Sequence, residues 1–260
     1  MVWTGKFWGA LIGLLSTRSV WGAVVGALIG HLFDQNSAIT RSVGGSSSVS
    51  EVFFRTAFEL FGHVAKADGQ VSVAQIDAAR TLMQELKLGP DEIAVAIACF
   101  RAGKAPDYAV ERAIEGLRQA CGPRTDLLIS FMELQLRAAL AGNGLSPPAR
   151  SILLRVAAQL GVSELQFAHM EASLRAASTR ARQQAGHGSA PLADSYAELE
   201  VDPRVSNQEL TKAYRRQMSR HHPDKLVANG LPESMAQFAK EKTQRIQEAY
   251  ESLRTARGMR

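Results

Sequence analysis

Cysteine is scarce in this sequence: its 260 residues include only two, Cys99 and Cys121. Both lie within apolar helical patterns, and they form no C-x-x-C pair or zinc-ligand spacing. The sequence therefore indicates neither a disulfide framework nor a zinc knuckle, and a reducing compartment fits it best.

The sequence also has no large excess of basic or acidic residues. The 30 basic residues stand against 25 acidic ones, which leaves a formal charge of +5. Because this excess is small and no exposed aromatics interleave with the basic residues, nucleic acid is not expected as a partner. With 46% hydrophobic residues and 9 prolines, the chain is not of the disordered or collagen-like class.

A long apolar run is present only near the N-terminus, over residues 7–33. Its length suffices to cross a bilayer, which takes about 20 helical residues. Arg18 within it costs roughly 2.5–3.5 kcal/mol, and about five to seven strongly apolar residues can offset that cost. We predict a single-pass membrane anchor over residues 1–33. A cleaved signal peptide and a helix lying on the membrane surface are the alternatives.

Glycine recurs every fourth residue along this anchor, in two stripes. Such spacing allows two membrane helices to approach closely. The stripes fall on roughly opposite faces of one helix, so we predict that one of them supports a homodimer. The alternative is that glycine is simply frequent in membrane helices. The two stripes are Gly5, Gly9 and Gly13, and Gly22, Gly26 and Gly30.

The middle of the chain, residues 51–177, has helical periodicity interrupted by glycine and proline, which predicts about seven helices. One helix start is indicated by a capping box of Ser72 with Gln75. Polar stretches at 34–50 and 178–193 flank this region and are predicted to be linkers.

An internal repeat relates Ala67–Leu86 to Ala141–Leu160, each a helix, a tight glycine turn and a helix. This arrangement resembles the TerB-like all-helical domain, whose turns often carry acidic residues associated with cation binding. Here Asp68 remains, but Gln75 stands where an acid is expected, and one carboxylate is too few for a cation. We therefore expect no metal, and predict an interaction or spacer module.

The last segment, residues 194–260, also reads as helical. Two capping boxes, Ser195-x-x-Glu198 and Ser206-x-x-Glu209, predict the starts of a short and a longer helix. The longer one has an apolar stripe on one face and basic residues on another. A third helix carries a matching apolar stripe, so two long antiparallel helices are predicted to pack together.

Proline ends the second of these helices. Pro223 disfavours helical geometry at His222 and has no amide donor, which predicts an exposed loop at His222-Pro223-Asp224. Adjacent His221 and His222 point apart on a helix and have no third ligand, so a metal site is not expected. No nucleophile, pocket signature or phosphate loop accompanies them, and we expect no enzyme activity and no cofactor.

These motifs together resemble the J-domain, the co-chaperone module that activates ATPases of the DnaK type. In order, the sequence has Tyr196-x-x-Leu199, Ala213–Arg216, the His222–Asp224 tripeptide, and Glu248–Glu251. The resemblance implies that the domain docks on the ATP-bound partner and raises its hydrolysis rate.

The basic residues near the tripeptide are the expected means of docking. Five of them accompany one acid between Lys212 and Lys225, a local charge of about +4 that steers an acidic partner surface. Pro223 stiffens the backbone at which His222 and Asp224 present their side chains. The residues expected to bind the partner are His222, Pro223, Asp224, Lys212, Arg215, Arg216, Arg220 and Lys225.

The order of parts resembles the DjlA family of membrane-anchored bacterial co-chaperones. It implies an all-α protein with a transmembrane helix, a TerB-like bundle and a J-domain at 194–260. The sequence has no Gly/Phe-rich stretch and no cysteine-rich zinc module, so independent holding of unfolded clients is not expected.

The resemblance also implies a location and a role. Lys6 precedes the anchor while Arg41 and Arg55 follow it, a slight bias for a cytoplasmic C-terminal side. We predict an inner-membrane protein with a short periplasmic N-terminus, in contact with lipid, that recruits a DnaK-type ATPase. The alternative is a dimeric inner-membrane adaptor that binds signalling or envelope proteins through its TerB-like domain and has a vestigial J-domain.

Overall fold

The computed structural model describes residues 48–69, 71–141, 144–183 and 192–259. Every regular element in these ranges is a helix, which confirms the all-α prediction. The predicted anchor and both of its glycine stripes lie outside the described residues. Among the residues that are described, no helix combines the length and the apolar character that a membrane crossing requires.

The described residues between 48 and 183 form seven helices, in agreement with the prediction of about seven. The seventh helix continues beyond residue 177 into the range predicted as a linker. The seven are α1 (Val49–Ala65), α2 (Val73–Glu85), α3 (Pro90–Gly103), α4 (Val110–Cys121), α5 (Thr125–Ala141), α6 (Pro147–Gln159) and α7 (Glu164–Gln183).

Local capping explains where α2 starts. The Ser72 Oγ accepts the Gln75 N–H at 3.2 Å, and the Gln75 Oε1 accepts the Ser72 N–H at 2.8 Å. This reciprocal pair satisfies two backbone donors that the first turn of a helix leaves unpaired. The predicted capping box is therefore confirmed.

Helices α1 and α3 cross at very close range. A Cβ atom added to Gly62 would lie 2.0 Å from the Phe100 carbonyl oxygen, and one added to Gly103 would lie 1.7 Å from the Glu59 carbonyl oxygen. Only glycine fits at either position, because the two backbones touch there. Helix α1 also meets α5, where the rings of Phe53 and Phe131 are in edge-to-face contact with centroids 5.4 Å apart.

The C-terminal segment adds a second helical group. Arg257, just after its last helix, donates from Nη1 to Asn207 Oδ1 at 3.2 Å. Because Asn207 begins the longer preceding helix, the two long helices are antiparallel, as predicted. The elements are α8 (Leu192–Glu198), α9 (Asn207–His221), α10 (Pro223–Ala228), a 3-10 turn (Glu233–Met235) and α11 (Ala236–Ala256).

Two local predictions in this segment are wrong. Helix α8 begins at Leu192, so Ser195 lies within it, and Glu198 ends it rather than capping its start. The predicted exposed loop is a corner between two helices: His222 alone is extended, with φ −61° and ψ 123°, and Pro223 starts α10. Proline suits the first helical position, since no amide donor is needed there.

The two helical groups share one buried cluster. The C-terminal group has its own small core of Leu199, Leu210, Ile246, Ala249 and Leu253. The side chains that follow the corner are buried instead in the cluster that fills the middle of the chain. Those side chains are Leu226, Leu231, Met235, Phe238 and Ala239.

Candidate partner-binding site

Helix α9 presents the predicted basic face. Its start is fixed by a capping box in which Ser206 Oγ accepts the Glu209 N–H at 3.2 Å. On its inner side Leu210 and Ala213 are buried. Tyr214 is half-buried and stacks on Tyr250 of α11, with ring centroids 4.2 Å apart.

Three of the predicted binding residues lie on the solvent side of α9. Lys212, Arg215 and Arg216 are all exposed. No acidic side chain within the described ranges forms an ion pair with any of them. These three cations are therefore available to an acidic partner surface.

The corner itself is open to solvent at its two polar residues. His222 and Asp224 are exposed, whereas Pro223 between them is half-buried. Because His222 is extended and Pro223 begins α10, the imidazole and the carboxylate project from a stiff backbone. The tripeptide can therefore offer a carboxylate and an imidazole without a change in backbone conformation.

The other two predicted basic residues already have acidic neighbours. Lys225 Nζ lies 2.6 Å from Asp126 Oδ2, at the start of α5. Arg220 Nε lies 4.0 Å from Asp126 Oδ1, and Arg220 Nη1 donates to Glu200 Oε2 at 3.3 Å. The charge around the corner is thus lower than the local sequence count of about +4.

Behind the corner lies a buried ionic network. Lys242 Nζ of α11 lies 3.0 Å from Glu133 Oε1 of α5 and 3.1 Å from Glu198 Oε1 of α8. Ser173 of α7 donates its hydroxyl to Glu198 Oε2. One lysine of α11 therefore contacts carboxylates from both helical groups.

The network lowers the pKa values of its two buried carboxyl groups. Burial alone would raise the pKa of Glu198, but Lys242 and Arg245 outweigh it and hold that pKa down at about 2. The pKa of Glu133 is lowered as well: burial alone would raise it, but the nearby Lys242 ammonium group outweighs burial. Both carboxylates are therefore ionised at neutral pH.

His221 lies beside this network and is only 1% exposed. Its Nδ1 is 3.6 Å from Glu133 Oε2, which is beyond hydrogen-bond range. Burial lowers the pKa of His221 despite the nearby carboxylate, so the imidazole is neutral. His221 at the end of α9 is buried, whereas the extended His222 is exposed, so the two imidazoles lie apart as predicted, although His222 is not helical.

Sequence reasoning missed the residues of α5 that border the site. Nothing in the local pattern marks Asp126, because an acid is common in the first turn of any helix. Glu133 has a detectable signal: it is a lone acid within the apolar run Leu127–Leu136, where a charge needs a buried partner.

The rest of the described chain has neither clustered metal ligands nor reactive thiols. It contains no group of three histidine, cysteine or acidic side chains placed to hold a metal ion. Cys99 and Cys121 are buried and unpaired with each other. Burial raises the pKa of Cys99 to about 12 and that of Cys121 to about 11, so both remain thiols.

Comparison with known families accounts for three consecutive parts of the chain. Residues 1–48 match the co-chaperone DjlA transmembrane domain. Residues 55–172 match the tellurite resistance protein TerB, and residues 194–258 match the DnaJ domain.

Relatives match the whole chain. The co-chaperone protein DjlA of Coxiella burnetii is 38% identical, and the alignment covers 100% of both chains. The chain belongs to the DjlA family of co-chaperones. The DjlA proteins of Escherichia coli K12 and Photorhabdus laumondii are 36% and 35% identical, again over 100% of both chains.

Membership of the DjlA family confirms the J-domain and the TerB-like domain that the motifs and the repeat indicate. It also supports membrane anchoring through the transmembrane domain matched at residues 1–48. No solved structure matches the chain significantly.

Proposed function

We propose that this DjlA-family protein recruits a DnaK-type ATPase to the inner membrane and stimulates its ATP hydrolysis. The contact is made by the His222-Pro223-Asp224 corner together with the basic face of α9. The observation that carries the proposal is the exposure of His222 and Asp224 at the end of a helix that also exposes Lys212, Arg215 and Arg216.

The two parts of this surface have different tasks. Exposed cations on α9 steer an acidic partner, so they mainly set the association rate. The corner presents an imidazole and a carboxylate on a stiff backbone, so it carries the stimulation itself. Arg220 and Lys225 border the corner and contribute less to steering, because Asp126 is beside both.

The remainder of the chain places this surface at the membrane. We propose an anchor at 1–33, a linker at 34–50, the TerB-like domain at 51–177, a second linker at 178–193 and the J-domain at 194–260. Helices α1, α7 and α8 extend a few residues into the two linker ranges. The short N-terminus is periplasmic and the bulk cytoplasmic. A tether of this kind raises the local concentration of the co-chaperone near membrane-bound clients.

Dimerisation is a separate part of the proposal. The first glycine stripe contains Gly9 and the second contains Gly26. One of these two stripes brings two anchors into contact. Crosslinking of full-length protein in lipid bilayers, compared with the variant Gly22→Leu/Gly26→Leu, tests the second stripe. An unchanged crosslinked fraction would exclude that stripe from the contact.

Single-turnover ATP hydrolysis by a DnaK-type chaperone tests the main proposal. Full-length protein in lipid nanodiscs is compared with His222→Gln and with the matched control His169→Gln on α7, outside the J-domain. We expect stimulation by the wild-type protein and the control, and loss of stimulation with His222→Gln. Equal rates with and without the wild-type protein would refute the proposal and leave the adaptor role.

The association rate tests whether the exposed arginines of α9 steer the partner. Arg215→Ala/Arg216→Ala is expected to slow association at low ionic strength while leaving the maximal hydrolysis rate close to that of the wild type. The difference should shrink as salt is added, because salt screens exposed charges. A salt-independent loss of maximal rate would contradict a steering role for these arginines.

A further inference from the structure

The first turn of α5 lies against the partner-binding surface of the J-domain. Asp126 is the acid of that turn, and its carboxylate approaches two of the basic residues at the corner. The Asp126 Oδ2 lies 2.6 Å from Lys225 Nζ, and Oδ1 lies 4.0 Å from Arg220 Nε. Asp126 and Lys225 are 99 positions apart, so this contact is made by tertiary packing alone.

This position of Asp126 is fixed by the packing beneath it. Phe238 and Leu226, which follow the corner, are buried in the same cluster as the core of the middle domain. Arg137 of α5 also donates to Glu241 of α11 at 2.8 Å. Separation of the two groups would expose apolar side chains and break buried ion pairs, so α5 stays against the corner while a partner binds.

The two basic residues differ in how firmly they are held. The Arg220 side chain is 18% exposed and has a second acidic neighbour in Glu200. The Lys225 side chain is 45% exposed, and Asp126 is the acid that it contacts in the described part of the chain. An incoming carboxylate can therefore reach Lys225 from solvent, where it meets an ammonium group whose charge Asp126 already partly compensates.

We propose that Asp126 competes with acidic groups of the partner for Lys225, so that the middle domain limits the affinity of the J-domain for its ATPase. This inference rests on the proposed function. Asp126 lies in the TerB-like domain, yet it belongs to the edge of the J-domain's docking surface. The contact weakens docking without any movement of the two domains, because only the lysine side chain has to exchange partners.

The test measures the concentration of full-length protein, in nanodiscs, that gives half-maximal stimulation of a DnaK-type ATPase. Asp126→Asn is compared with Asp77→Asn, which removes the same charge from an exposed site on α2 that pairs with Arg80. We expect Asp126→Asn to lower that concentration about two- to fivefold, the range of a partly exposed ion pair. Asp77→Asn is expected to leave it unchanged.

Lys225 provides the decisive comparison. In a Lys225→Met background, Asp126→Asn is expected to give no gain, because the residue for which Asp126 competes is absent. In the native background the gain should shrink as the salt concentration rises. An equal gain in both backgrounds would overturn the proposal in favour of a general charge effect.

A second variant and the wild-type rate distinguish three outcomes: misfolding of the variant, failure of the inference about Asp126, and failure of the proposed function. Asp126→Ser removes the same charge with a different side chain, so both variants must show the gain. Thermal unfolding of each variant checks that it folds. If the wild type stimulates but Asp126→Asn matches Asp77→Asn or weakens docking, the inference fails alone. If the wild type does not stimulate at all, the proposed function fails.

Discussion

The Nζ of Lys242 lies 3.0 Å from the Oε1 of Glu133, and both side chains are almost completely buried. This ion pair joins α11 of the J-domain to α5 of the TerB-like domain. Glu198 at the end of α8 contacts the same ammonium group at 3.1 Å. One cation thereby compensates two carboxylates that would each be costly to bury alone.

Replacement of Lys242 by methionine should strongly destabilise the protein. The change leaves Glu133 and Glu198 buried without their shared cation, which costs about 3–5 kcal/mol in the free energy of unfolding. Urea denaturation measures the loss. Lys240→Met is the control, since Lys240 is exposed on the same helix. Similar losses for the two variants would contradict the importance of the buried network.

Stability should fall with acidification. Lys242 and Arg245 outweigh burial and hold the pKa of Glu198 at about 2, below its ordinary value of 4.5. A lowered pKa contributes stability that is complete above about 4.5 and is lost as the pH falls towards about 2. This contribution is on the order of 3 kcal/mol. Buried His221 acts in the same direction, since its lowered pKa favours the neutral form and the benefit declines below about pH 6.5.

Unfolding by urea at a series of pH values from 7 to 3 checks this dependence. Glu198→Gln should be less stable than the wild type at pH 7, because Lys242 loses one carboxylate, and its stability should change less between pH 5 and pH 3. A variant curve parallel to that of the wild type would show that Glu198 is not a source of the acid sensitivity.

Two glycine substitutions should have opposite effects, because only Gly62 lies at the close crossing of α1 and α3. Gly62→Ala should prevent native packing, because its Cβ would lie 2.0 Å from the Phe100 carbonyl oxygen. Gly116→Ala on α4 meets nothing within 4 Å and should stabilise the protein by about 0.5–1 kcal/mol through helix propensity. Thermal unfolding of the two variants measures both effects. A tolerated Gly62→Ala would be incompatible with this crossing.

Arg257 should stabilise the open end of the J-domain hairpin. Its guanidinium donates to the Val205 carbonyl at 2.7 Å and the Pro203 carbonyl at 2.8 Å, and it lies over the Tyr196 ring. Arg257→Ala is expected to cost about 1–3 kcal/mol, the range for charged hydrogen bonds. Arg254→Ala, which loses only an exposed pair with a neighbour on its own helix, should cost less than 1 kcal/mol.

Hydrogen exchange locates the effect of Arg257. In Arg257→Ala, amides at the start of α9 should exchange faster, while those of α1 should be unchanged. Faster exchange throughout the protein would instead indicate a global role for this arginine.

The sequence predicts helix boundaries well where the signal comes from residues within one helical turn. The capping boxes at Ser72 and Ser206 and the proline after His222 act within one helical turn, and each marks a real helix boundary. The same rule fails at Ser195, because Glu198 is held by Lys242 instead of capping a helix start. A capping pattern does not reveal a competing partner more than forty positions away in the chain.

The sequence by itself determined the all-helical class, most of the long helices, the position of the His222-Pro223-Asp224 corner and the basic character of α9. These follow from periodicity, capping and proline geometry, which operate between near neighbours. Only the tertiary structure decided that Asp126 meets Lys225 and that Glu133 shares Lys242 with Glu198. Pairing between distant charges depends on how apolar faces pack, and no local pattern encodes which faces meet.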